Sequence, residues 1–187
     1  MSQVARRKPQ FQSARRVFLR RASAAAVTLL PLGAALARAP GRRSLSFVHT
    51  HTGERLSAVY FEDGRYRAEE LARINQLLRD FRTGDVHPID PATLDILADL
   101  RVLADRDEPF EVISGYRSPQ TNALLHEHSH GVAEHSLHMQ GRAIDVRLSS
   151  FPTSKLHELA LGMGRGGVGF YPRSDFVHLD NGRVRSW

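Results

Sequence analysis

Ser136-Leu-His-Met-Gln-Gly-Arg-Ala-Ile-Asp145 is the stretch on which the reading turns, and Asp175-Phe-Val-His178 answers it near the end of the chain. The first supplies His138 and Asp145. The second supplies His178, with Asp175 three residues before it. Two imidazoles and one carboxylate form a three-ligand set that leaves a fourth position on zinc open. A spare carboxylate beside that position can serve as a general base. The pattern implies one zinc ion per chain and metal-assisted hydrolysis.

The flanking residues suit such a site. Ala143 to Leu148 alternates, with Ile144, Val146 and Leu148 towards a core and Ala143, Asp145 and Arg147 on the other side. Phe176 to Asp180 alternates as well: Val177 and Leu179 point one way, and Phe176, His178 and Asp180 the other. Asp145 is thereby turned from the hydrophobic layer towards a cleft.

Further strands are predicted at Ser44–Val48 and Leu56–Phe61, joined by a Thr52-Gly53-Glu54 turn, and at Phe110–Ser114 and Gly166–Tyr171. His49 and His51 beside the turn read as exposed edge positions. Helical spacing of Leu71, Ile74, Leu77, Leu78 and Phe81 predicts a helix over Tyr66–Phe81, ended by Gly84. Asp90 caps the next helix, with Pro91 at its first position and a stripe of Leu94, Leu97, Ala98, Leu100 and Leu103. A third helix starts near Pro119 and ends about Glu127. A fourth, capped by Thr153 or Ser154, runs through Leu161 to Gly162 and Gly164. His126, His128 and His130 read as a solvated loop.

A leader is visible at residues 1–37. Arg15-Arg16 precedes an Ala-rich apolar run broken by Pro31 and Gly33, and Ala35 and Ala37 offer a small-residue cleavage site. The run is too short and interrupted for a membrane span. This order resembles a Tat-type signal and implies export to the periplasm. Residues 38–43 read as a linker and 44–187 as the zinc-hydrolase domain.

The pI near 10.4 invites a nucleic-acid reading, and the charge distribution removes it. The leader holds Arg6, Arg7, Lys8, Arg15, Arg16, Arg20 and Arg21 and no acid. Of 26 basic residues 19 then remain, against 20 acidic ones, so the body is close to neutral. With no cysteine in the chain, thiolate zinc sites and cysteine nucleophiles are excluded.

Ser136-x-His138-x-x-Gly141-x-Ala143-x-Asp145, followed by Asp175-x-x-His178, resembles the zinc D-Ala-D-Ala peptidases of the LAS group, which includes lysostaphin-type enzymes and the hedgehog domain. Ser114-Gly115-Tyr116-Arg117-Ser118-Pro119 and Gly167-Val168-Gly169-Phe170-Tyr171 are similar to the YcbK-type branch, exported murein endopeptidases. The likeness spans about Leu45 to Trp187. It implies zinc ligands His138, Asp145 and His178, a general base at Asp175, an oxyanion-stabilising Arg117 and a substrate-binding Ser136. His135 is not expected to bind zinc.

Together these readings give an α+β domain: a small, mostly antiparallel sheet, helices on one face and a zinc groove across the other. The expected substrate is peptidoglycan peptide, cleaved at cross-links or stems by a monomer without nucleic-acid partners. A D-Ala-D-Ala carboxypeptidase or dipeptidase, and a non-catalytic zinc-containing wall-binding module, are the alternatives.

Overall fold

A computed structural model describes residues 41–128 and 132–187. The leader at 1–37, its cleavage site and His130 lie outside the described residues.

The chain forms strands β1 (Arg42–His49), β2 (Arg55–Glu62) and β3 (Arg65–Tyr66), then helices α1 (Ala68–Leu77) and α2 (Pro91–Ala104). Strand β4 (Phe110–Ser114) and helix α3 (Pro119–His128) follow. A 3-10 turn (Leu137–Gln140) leads into β5 (Ala143–Arg147). Helix α4 (Thr153–Met163), β6 (Gly167–Tyr171), β7 (Phe176–Asp180) and β8 (Arg185–Ser186) complete the order.

All eight strands join one sheet, in the order β3-β2-β1-β4-β5-β7-β6-β8. Pairing is antiparallel except for β1 with β4 and β6 with β8. The fold is therefore α+β as expected, with a larger sheet. The two-residue strands β3 and β8 carry too few residues for an alternating pattern to show. β1 also starts two residues early, taking Arg42 and Arg43 from the expected linker.

One face of the sheet is the core. Leu45, Phe47, Phe110, Val112, Ile144, Val146, Val177 and Leu179 are all buried there, under Ile74, Leu94, Leu97, Leu100 and Leu156. Helices α1, α2 and α4 supply those residues and pack on β1, β2, β6 and β7. α3 instead tethers the loop that follows it: Asn122 Nδ2 donates to the carbonyls of Ala133 (3.1 Å) and Glu134 (3.0 Å).

Several local expectations hold in detail. Asp90 accepts from Ala92 N–H at 2.9 Å, capping α2 behind Pro91. Others shift for identifiable reasons. α1 ends at Leu77 rather than Phe81, because the Leu78 carbonyl accepts from Tyr116 N–H (2.7 Å) and Asp80 opens a turn closed by Gly84 N–H (2.7 Å). α4 has no side-chain cap; Pro152 precedes it. His126 and His128 belong to the last turn of α3 rather than a loop. His49 is fully buried, not exposed, with its ring edge against Phe81.

Gly141 ends the 3-10 turn in the left-handed region, at φ 65°. A Cβ there would stand 2.1 Å from the Pro88 carbonyl oxygen. The close approach is to the segment before α2, and the Gly141 carbonyl accepts from Asp90 N–H at 2.9 Å. Gly141→Ala is expected to destabilise the fold by about 2 kcal/mol or more, read from urea denaturation, because it adds both strain and a backbone clash.

Candidate metal centre

The strand register builds the site. Asp145 pairs with His178 across β5 and β7, Ser114 with Asp145 across β4 and β5, and Gly169 with His178 across β6 and β7. These positions form one row on the face opposite the core. His138 reaches the row from the 3-10 turn.

Three atoms meet there. His138 Nε2 lies 3.3 Å from Asp145 Oδ1 and 3.2 Å from His178 Nδ1, and His178 Nδ1 lies 2.8 Å from Asp145 Oδ1. All three side chains are buried. Each ring is oriented by its other nitrogen. His138 Nδ1 donates to the Gly115 carbonyl (2.7 Å), and His178 Nε2 donates to Asp180 Oδ2 (3.1 Å). Those bonds leave His138 Nε2 and His178 Nδ1 as lone pairs aimed at a carboxylate oxygen. Three converging electron pairs repel unless a cation or a proton lies among them.

The donor set fits zinc. Tetrahedral ligands with bonds of about 2.0–2.1 Å sit about 3.3 Å apart, close to the separations found here. A carbonyl and a carboxylate behind the imidazoles are the usual orienting partners of metal-bound histidine. Among the described residues this is the one group of His and acidic side chains able to share an ion. His135 lines the cleft without joining the group.

The electrostatics agree. Burial opposes charge on His178, but hydrogen bonds to Asp145 and Asp180 outweigh it and push its pKa up to about 9. Burial likewise opposes ionisation of Asp145, and the charge and hydrogen bonds of His138 and His178 hold its pKa far below the carboxylate range. Without metal, a proton on His178 takes the cation's place.

Asp180 had no role assigned from sequence. It is fully buried and accepts from His178, from Arg185 Nη1 (3.1 Å) and Nη2 (2.7 Å), and from the N–H groups of Gly167 (3.1 Å) and Gly182 (2.8 Å). Burial disfavours its charge, yet these donors keep its pKa well below normal. Its signal was the His178-x-Asp180 spacing, which puts both side chains on one strand face.

A cleft of about 480 Å³ covers the group, lined by Arg117, Val132, His135, Ser136, Tyr171 and Trp187 among others. Arg117 is largely buried, with Nη2 3.9 Å from Asp145 Oδ2. Its bonds to Asn122 (3.4 Å) and Ser114 (3.5 Å) are long, and its buried Nε has no partner. Burial lowers its pKa, opposed by the Asp145 charge. The loop carrying it is anchored by Asp80, which accepts from Ser118 N–H (2.9 Å) and Oγ (2.7 Å). Ser136 Oγ accepts from His138 N–H at 3.3 Å, so it caps the turn while lining the cleft.

Asp175 is not brought to the group. Its carboxylate is 62% exposed, accepts from Thr153 Oγ1 and pairs with Arg147 at 3.5 Å, and it is absent from the cleft lining. The backbone explains this: Asp175 has φ 51°, in the turn before β7, so the strand alternation that aims His178 does not extend to it.

A buried His-His-Asp set on a sheet face, under an open cleft with a cationic side chain beside it, is the arrangement of a metallohydrolase. The chain belongs to the peptidase family described as peptidoglycan L,D-endopeptidase MepK, whose model matches residues 37–187. It is 43% identical over 148 residues to the peptidoglycan L,D-endopeptidase MepK of Escherichia coli K12, covering 79% of this chain and 81% of that protein. The same figures hold for the MepK of Shigella flexneri. A protein named probable peptidoglycan L,D-endopeptidase MepK from Haemophilus influenzae is 39% identical over 163 residues, covering 86% of this chain and 88% of that one.

The shifts set a pH dependence for the metal-free protein. A raised His178 pKa contributes stability that is complete below 6.5 and lost as pH rises to about 9. The depressed Asp145 and Asp180 contribute stability above 3.8. Metal-stripped protein is therefore expected to melt highest between about pH 4 and 6.5 and to lose stability towards pH 9. Added zinc is expected to flatten that loss, since it replaces the proton; a calorimetric melting series checks both.

Proposed function

We propose that the chain is an exported zinc endopeptidase that hydrolyses peptide bonds in peptidoglycan cross-links or stem peptides. The observation that carries this reading is the convergence of His138, Asp145 and His178 lone pairs on the floor of an open cleft. Membership of a peptidoglycan endopeptidase family supports the substrate, and the relatives' names point to a bond between an L- and a D-residue.

His138 Nε2, His178 Nδ1 and Asp145 Oδ1 would hold the ion. Zinc supplies Lewis acidity, which polarises a carbonyl and acidifies water. Asp180 and the Gly115 carbonyl keep the two imidazoles aimed at it. Arg117 lines the cleft beside Asp145 with only long bonds to Asn122 and Ser114, so its guanidinium would be available to meet negative charge developing on the attacked carbonyl. Ser136 contributes first to the turn that presents His138, with substrate contact second. Asp175 could act as base only by leaving Thr153 and Arg147, and the proposed mechanism does not use it.

A carboxypeptidase needs a free cation to receive a terminal carboxylate. Arg185, on the cleft wall, is engaged by Asp180 through both terminal nitrogens, and Arg117 faces Asp145. Neither closes the cleft, which favours internal bonds. Export rests on the leader at 1–37; among the described residues no helix is long and apolar enough to cross a membrane.

Digestion of purified sacculi is expected to remove cross-linked muropeptide dimers, to stop on chelation and to resume with added zinc. Loss of terminal alanine with dimers intact would support the carboxypeptidase instead. Arg117→Ala is expected to lower kcat/KM by about 10²-fold with metal retained. Asp175→Asn is expected to keep activity within about threefold; abolished turnover at full metal content would restore the general-base role.

A further inference from the structure

The row of site residues does not stop at Gly169. β8 runs parallel to β6, and Trp187 N–H donates to the Val168 carbonyl while Phe170 N–H donates to that of Trp187. This brings the indole over Gly169. A Cβ on residue 169 would stand 2.7 Å from Trp187 Cε2, so the ring lies down across the strand into the space a side chain would fill. Its centroid is 5.2 Å from the His178 imidazole.

The indole's polar edge is already used. Nε1 donates to the Tyr171 hydroxyl at 2.8 Å, and the Arg185 guanidinium lies 4.8 Å over the ring. Tyr171 in turn stacks on Phe176 at 4.5 Å. Trp187 nevertheless remains 50% exposed, in the lining of the metal cleft. With its N–H engaged, what the indole offers a ligand is hydrocarbon, beside the three side chains that would hold the ion. An apolar wall next to a reactive centre gains energy by covering the apolar part of a ligand.

We infer that Trp187 is a substrate-contacting residue, its indole taking the aliphatic side chain of the peptide residue next to the hydrolysed bond. This rests on the endopeptidase reading above. Peptidoglycan peptides suit the wall, because alanine methyls and the methylene chains of diamino acids are the apolar groups they carry. Trp187 fixes which side of the metal those groups occupy, while Arg117 faces the opposite end of the row.

The chain contains a single tryptophan, so its emission reports on this wall alone. The metal-loaded enzyme is mixed with a purified cross-linked muropeptide dimer in a stopped-flow fluorimeter. A saturable change in tryptophan emission is expected before product appears. Trp187→Ala is expected to raise KM about tenfold or more with kcat within about threefold. Its metal content should be unchanged, and Trp187→Phe should recover most of the loss. Cleavage by the wild type with unmoved emission overturns the proposal, as does a wild-type KM in Trp187→Ala. If both variants lose metal or fold, the emission result alone decides. Failure of the wild type to cleave the dimer at all overturns the endopeptidase reading, a different outcome.

Discussion

Three lone pairs pointed at one another inside a protein are unfavourable, and the structure spends much of its order on keeping them so. His138 Nε2, His178 Nδ1 and Asp145 Oδ1 lie within 3.3 Å of one another, away from solvent. Left alone they would separate or take up a proton. A divalent cation would turn the same geometry from a liability into a binding site, because each donor is already aimed and desolvated.

The scaffold's part is to hold the aim. Core residues of β5 and β7 pack towards α2 and α4, and alternation sends Asp145 and His178 out on the opposite face in register. The Gly115 carbonyl fixes one ring, and Asp180, itself held by Arg185 and two backbone N–H groups, fixes the other. Asp80 anchors the loop that carries Gly115 and Arg117. The charge of that buried carboxylate is sustained by hydrogen bonds that outweigh the cost of burying it.

The His138–Asp145–His178 group was legible because its convergence depends on two local rules. Strand alternation selects Asp145 and His178, and the spacing of the Ser136–Asp145 stretch brings His138 to them. The role of Asp175 came from the family resemblance and not from alternation, which starts only at Phe176; the chain at Asp175 is in a left-handed turn, and the carboxylate is drawn to Thr153 and Arg147. Asp180 left a trace in the His178-x-Asp180 spacing, but nothing local said that it would hold the imidazole. Trp187 was hidden for another reason: its place beside Gly169 comes from the pairing of β6 with β8, and a two-residue strand leaves no periodic trace. His49 was misplaced because the expected strand ends at Val48: β1 runs to His49, which continues the inward alternation of Leu45 and Phe47 and meets Phe81 from the segment after α1.

X-ray absorption at the zinc edge of the loaded enzyme tests the central claim most directly. The account predicts one ion with two imidazoles and oxygen ligands at about 2.0–2.2 Å, and loss of one imidazole's scattering in His178→Ala. A wild-type spectrum with fewer than two imidazoles, or a spectrum unchanged by that substitution, would contradict it.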